Sequence, residues 1–214
     1  GTYKYAVPNY IVYPTLNPND PMFNQQWHHQ MIKSPQAWDI HTGSNTIICA
    51  FTDTGIDKNH DDLKDSLVMG YNSVDKKTEA EGGSINDVHG HGTHVAGCGA
   101  AITNNAKGVA GVGWNFKIMM VKVSNSSGGG SSYDALLGGA RWAVDNGAKV
   151  ISTSYSGVES AAVQETGAYI RSKDALYLWA AGNSGSNLSW FDWADVIIVG
   201  ASNQSDNRAS WSSY

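Results

Sequence analysis

Five short apolar runs, separated by stretches of helical character, constrain this chain more than any other feature. The first is Thr46-Ile-Ile-Cys-Ala-Phe-Thr52, followed by the turn-forming Asp53-Thr-Gly55; the others are Lys117 to Val123, Ala148 to Ser154, Ala175 to Ala180 and Val196 to Ala201. Runs this short, apolar at consecutive positions, suit strands buried on both faces. Between them, His91 to Ile102 is rich in alanine and opens beside glycines. Tyr133 to Asn146 and about Ala161 to Ser172 have helical spacing, and Asn146-Gly147 supplies a stop. Strands alternating with helices imply βαβ units, because parallel strands need a crossover. The expected fold class is α/β: a doubly wound parallel sheet with helices on both faces, in three layers. Such sheets bind ligands at the carboxyl ends of their strands, where Asp53 and Ser154 fall. A hydrophobic fraction of 41% over 214 residues is enough to fill the core of one such domain.

Residues 1 to about 35 read differently. They hold all five prolines, Pro8, Pro14, Pro18, Pro21 and Pro35, interleaved with Asn and Tyr, and suggest an extended arm. Only 15% of residues are charged, and 19 acids against 14 bases give a net charge of -5. That balance argues against a nucleic-acid or anionic-membrane surface. Apolar stretches such as Ile47 to Phe51 fall far short of the roughly 18 residues of a membrane helix. Cys49 and Cys98 lack the spacing of a disulfide framework or a zinc knot, so they are expected to be buried, unpaired residues, with a disulfide between them as the alternative.

The chemistry concentrates in two places. Asp53 ends an apolar strand beside a tight turn, which alone fits an ordinary turn aspartate. Asp87-Val-His89-Gly-His91-Gly-Thr-His94-Val-Ala-Gly97 then places three histidines at the mouth of an expected helix. Two readings compete for them. His89, His91 and His94 could form a His-x-His-x-x-His zinc site, but the further His and Asp ligands such a site requires are not evident, since every histidine lies at or before His94. Alternatively, one histidine faces Asp53 and acts as a general base, its tautomer fixed by the carboxylate. The glycine-rich patch Ser124 to Ser132 has the composition of a surface loop.

Asp53-Thr-Gly55, His91-Gly-Thr-His-Val-Ala-Gly97 and Ala180-Ala-Gly-Asn-Ser-Gly185, in this order and spacing, resemble the consecutive blocks of the subtilisin-like serine peptidases. The resemblance runs from about Asn19 to Tyr214. Pro18-Asn-Asp-Pro21, Pro35-Gln-Ala-Trp38 and Thr103-Asn-Asn105 place the chain nearest the thermitase-like branch. It implies Asp53 as the triad carboxylate, His91 as the general base, Asn183 as the oxyanion donor and His94 as a structural residue facing the helix packing surface. It further implies that extended peptides or unfolded proteins add as strands along Gly129, Gly130 and Ser131 on one side and Ser154, Tyr155, Ser156 and Gly157 on the other. The family more often has Leu-Gly where Tyr155-Ser156 stands, so only a broad preference for apolar or aromatic P1 and P4 side chains follows. A structural calcium would be held by Asp20, Asp62, the Asn105 side chain and carbonyls near Ile102, Lys107 and Val109. No organic cofactor is implied.

The family's nucleophile lies within Gly-Thr-Ser-Met-Ala, and that block does not occur here. Ser184, Ser186, Ser189, Ser202, Ser205, Ser210, Ser212 and Ser213 fall in polar loops or the final Ala-Ser-Trp-Ser-Ser-Tyr stretch. The expectation is a catalytic domain over 19–214 whose last third, with the serine, is missing. Residues 1–18 would be a propeptide remnant or an arm, because Tyr5-Ala-Val-Pro-Asn-Tyr-Ile-Val12 resembles the tail of an inhibitory propeptide. The parent protein would be a secreted or vesicular serine endopeptidase. The rivals are a catalytically dead peptide-binding module and a zinc hydrolase built on the His cluster.

Overall fold

The computed structural model describes Lys4, Val7, Pro8 and residues 16–214, so the propeptide-like stretch Tyr5 to Val12, apart from Val7 and Pro8, lies outside the described residues. Its centre is a seven-stranded sheet ordered β3-β2-β4-β1-β5-β6-β7. The strands are β1 (Ile48–Asp53), β2 (Tyr71–Asn72), β3 (Lys77–Thr78), β4 (Lys117–Lys122), β5 (Val150–Thr153), β6 (Leu176–Ala180) and β7 (Ile197–Val199). All neighbours run parallel except β2 and β3. The chain builds β4 on one side of β1 and then crosses to add β5 on the other. The order therefore reverses at β1, and the crevice such a reversal leaves opens at the strand's carboxyl end, at Asp53.

Helices α3 (His91–Ala100), α4 (Tyr133–Asp145) and α5 (Ala161–Ser172) form the crossovers. Alternation along the strands decides which face each one covers. Ala50, Met119, Val121 and Ile151 pack with Leu136, Ala140, Val163 and Ile170 of α4 and α5. Phe51, Ile118 and Met120 pack with Ala96 and Ala100 of α3 on the opposite face. The three layers expected from the apolar runs are thus present, and Asp53, two residues after Phe51, projects to the α3 side. Ser132 caps α4 by accepting the Ala135 N–H at 3.3 Å.

Three expectations are corrected. The arm is not extended throughout: α1 (Trp27–Met31) and α2 (Ser34–Trp38) are short helices, and Phe23, Trp38 and Ala110 form a small core of their own. Pro35 is tolerated because it occupies the first turn of α2, where its missing N–H costs nothing. Cys49 and Cys98 are both free, as expected, but Cys98 is exposed, because α3 turns that face to solvent. His94, one turn earlier, is exposed with it, its Nε2 3.8 Å from the Cys98 Sγ, and does not face the packing surface. The β2–β3 pair was not anticipated at all. No helix of the described residues is long and apolar enough to cross a membrane.

Candidate active site

Asp53 and His91 come from different elements and meet at the sheet's carboxyl edge. Asp53 is the last residue of β1 and is 1% exposed, while His91 is the first residue of α3. Their approach depends on glycine. A Cβ on Gly92 would strike the Gly55 carbonyl and lie 3.1 Å from the Asp53 Cβ; Gly55 itself holds φ +126° and packs against the Asn86 carbonyl. Only residues without side chains let the helix start this close to the strand end.

The His91 Nδ1 lies 2.7 Å from Asp53 Oδ1, which also accepts the Thr54 N–H at 2.7 Å. An ionised carboxylate can only accept, so Nδ1 carries the proton and Nε2 presents its lone pair outward from a ring 42% exposed. Burial pushes the Asp53 carboxyl above the usual range, and the hydrogen bonds from His91 and Thr54 oppose that push. An imidazole held in this tautomer can take a proton from a hydroxyl placed at Nε2.

The other histidines do not join it as metal ligands. The His89 ring stands edge-on to His91 at 6.2 Å between centroids, and His94 turns toward Cys98. Among the described residues no three His, Cys, Asp or Glu side chains are grouped to hold a metal ion. The zinc reading loses its basis, because His91 spends Nδ1 on Asp53 and the three rings do not converge.

Asn183 follows β6 with its side chain exposed, at the same carboxyl edge of the sheet. The segment that leaves β5, Ser154 to Gly157, is irregular, and two of its carbonyls are held by side chains. The Tyr155 carbonyl accepts the Trp179 Nε1–H at 2.7 Å, and the Gly157 carbonyl accepts the Tyr133 hydroxyl at 2.7 Å. Across from them, the Tyr155 hydroxyl donates to the Gly129 carbonyl at 2.8 Å, and Ser124 Oγ donates to the Gly130 carbonyl at 2.7 Å. Ser131 Oγ closes the same loop on Val123 at 2.6 Å. The two expected groove walls are thus tied together by Tyr155, whose phenol is pushed up to about 12 by burial and by the charges of Asp53 and Asp87.

The residues expected around a cation also gather. Asp20 and Asp62 are 4% and 2% exposed. Asp20 accepts the N–H groups of Asn104 and Asn105, at 2.7 and 3.3 Å. Asp62 accepts the Val109 N–H at 2.9 Å and the Asn105 side-chain amide at 2.8 Å, and its carbonyl receives the Ile102 N–H. The Lys107 N–H donates to Asn105 Oδ1 at 2.8 Å.

A profile described as the subtilase family matches residues 43–214. The chain belongs to the subtilase family. Among relatives of this subtilase, thermitase of Thermoactinomyces vulgaris is 40% identical over 92% of the chain and 70% of its own length. A thermophilic serine proteinase of Bacillus sp. (strain AK1) is 35% identical over 99% of the chain and 52% of its own length. The chain thus spans about half to seven-tenths of these two proteins. These matches agree with the thermitase-like branch. Further relatives are named as extracellular and as intracellular proteases. The epidermin leader peptide processing serine protease of Staphylococcus aureus shares the fold, with a TM-score of 0.75 at 23% identity over 94% of this subtilase and 57% of that chain.

Proposed function

We propose that this subtilase chain carries the base, its orienting carboxylate and the oxyanion donor of a serine endopeptidase. The observation that carries the reading is the 2.7 Å bond between His91 Nδ1 and a buried Asp53. The Gly-Thr-Ser-Met-Ala block that carries the family's nucleophile does not occur in this sequence, and the reading takes the nucleophile to be a serine of the full protein. In the reaction, Nε2 takes the serine proton as the oxygen attacks the peptide carbonyl, and later returns it to the leaving amine. Asp53 stabilises the imidazolium formed between those steps. The Asn183 amide donates to the oxyanion, a contribution of about 3 to 4 kcal/mol to barrier lowering in enzymes of this kind. An extended peptide would lie between the segment Ser154 to Gly157 and the loop Gly129 to Ser131 and pair with their backbones.

A structural calcium fits the arm loop. Asp20 and Asp62 are two buried carboxylates that form no ion pair with any described Lys, Arg or His. With the Asn105 side-chain oxygen and the carbonyls near Ile102, Lys107 and Val109 they would supply the oxygen donors a hard cation requires. Its role is to pin the arm to the domain. Secretion of the full protein is consistent with the relatives named as extracellular.

The test is hydrolysis, by the full gene product, of fluorogenic peptides with apolar P1 and P4 side chains. Asn183→Ala is expected to lower kcat by about 10²- to 10³-fold with little change in KM. A kcat unchanged in Asn183→Ala would remove that residue from the mechanism, and no hydrolysis by the parent would favour a peptide-binding module without turnover.

A further inference from the structure

The proposed reaction uses one buried charge, Asp53, and leaves the charges of Lys122 and Asp87 without a task. Lys122 is the register partner of Asp53 in the neighbouring strand and is 2% exposed. By alternation it projects to the same face as Ile118 and Met120, toward α3. Its Nζ contacts no carboxylate. It donates to two carbonyls instead, those of Thr54 and Asn86, each at 2.8 Å. One is the residue after Asp53 and the other is the residue before Asp87. A lysine spent on two carbonyls in the interior has to justify its desolvation, and here it clasps the end of β1 to the segment leading into α3.

Asp87 completes the clasp from the other side. Its Oδ1 accepts the Thr54 hydroxyl at 2.8 Å and the N–H groups of His89 and Gly90 at 3.0 and 2.9 Å. Its Oδ2 accepts the Thr93 N–H at 2.9 Å and the Thr93 hydroxyl at 2.6 Å. Thr54 Oγ1 in turn accepts the Gly92 N–H at 3.0 Å. Gly90, Gly92 and Thr93, the residues flanking His91, are all held, while the His91 ring is left to Asp53. These amides belong to the first turn of α3, where they have no partner within the helix.

We propose that Lys122, Thr54 and Asp87 form a brace that positions His91 against Asp53, so that Lys122 and Asp87 are positioning residues for the proton transfer. The inference rests on the reading of Asp53 and His91 as the reacting pair. β1 and α3 are separated by the long excursion from Gly55 to Gly90, and nothing within either element sets the distance between the two side chains. The brace sets it, by bonding both ends to the same small group of atoms.

Proton NMR of the full gene product reads the bridging Nδ1–H of His91 without requiring turnover. In Thr54→Val, which keeps the side-chain shape and loses the hydroxyl, that proton is expected to shift and to exchange with water roughly tenfold faster, the scale of one lost hydrogen bond. Asp87→Asn is expected to act in the same direction. Val163→Ala, a core change in the α4–α5 layer on the opposite face, should lower stability and leave the resonance and its exchange rate unchanged. If Thr54→Val and Asp87→Asn lose stability with the resonance unmoved, the brace is only structural and the proposal fails. A parent chain showing no bridging proton would overturn the reacting pair itself, and the brace with it.

Discussion

Two sets of carboxylates in this subtilase are bound by main-chain amides, and only in one of them does a basic side chain contact a carboxylate. Asp53 pairs with His91, with Lys122 held nearby on the Thr54 and Asn86 carbonyls; Asp20 and Asp62, beside the 102–109 loop, have no described basic side chain in ion-pair range. The difference follows from what each set holds together. Around α3 the basic groups come from strand and helix, with Lys122 on β4 and His91 opening α3. At the arm the donors are amides of an irregular loop in which Asn104, Ala106 and Gly108 all take positive φ. Amides can satisfy the oxygens but not the net charge, which the calcium proposed for this set would balance.

The comparison can be broken first at His91. His91→Ala in the full gene product is expected to lower kcat by roughly 10⁶-fold, because the base and its orienting acid act as one unit. A fall of only a few-fold would mean that the pair is structural, as the arm carboxylates are. The arm set is tested by calcium. Saturating calcium at about 100 times its dissociation constant contributes about 2.7 kcal/mol, which for a protein of this size raises the thermal midpoint by roughly 5 to 10 °C over chelator. Asp62→Asn should abolish the calcium response, and a response that survives would place the ion elsewhere.

The smallest effect is a pH dependence at Asp87. Burial pushes its carboxyl up, but the hydrogen bonds from Thr93, His89 and Gly90 outweigh that and hold it well below the usual carboxylate range. A depressed carboxyl contributes stability that is fully present above its unfolded pKa, about 3.9, and is lost as pH falls through its folded value. Asp87→Asn should therefore be less stable than the parent at neutral pH, with the gap narrowing as the pH is taken below about 4. Denaturant unfolding across that range measures it, and a gap independent of pH would contradict the assigned ionisation.

Much of this was legible in the residues themselves. The strands β1, β4, β5, β6 and β7 showed as apolar runs, and α3, α4 and α5 as periodic stretches between them, because burial on both faces leaves a continuous signal. The meeting of Asp53 and His91 was foreshadowed by short blocks whose glycines allow close approach, while the role of Asn183 rests on the family resemblance. The β2–β3 pair was not, since strands of two residues have no periodicity to read. The arm's prolines suggested an extended path although Pro35 sits in a helix's first turn. Asp87 stood in the histidine block without a visible role, and Lys122 looked like any strand-end lysine. Their function is a matter of contacts among Thr54, Asn86 and Thr93, residues distant in sequence from Lys122, and no local pattern records it. The exposure of His94 and Cys98 was likewise invisible, because an alanine-rich helix does not announce which face is covered.

The most direct test of the central claim, that Asp53 and His91 activate a serine, is to treat the full gene product with a fluorophosphonate and locate the adduct by peptide mass spectrometry. The account expects a single modified serine outside residues 1–214, with labelling lost in His91→Ala. An adduct that persists in His91→Ala, or no adduct in the parent, would contradict it.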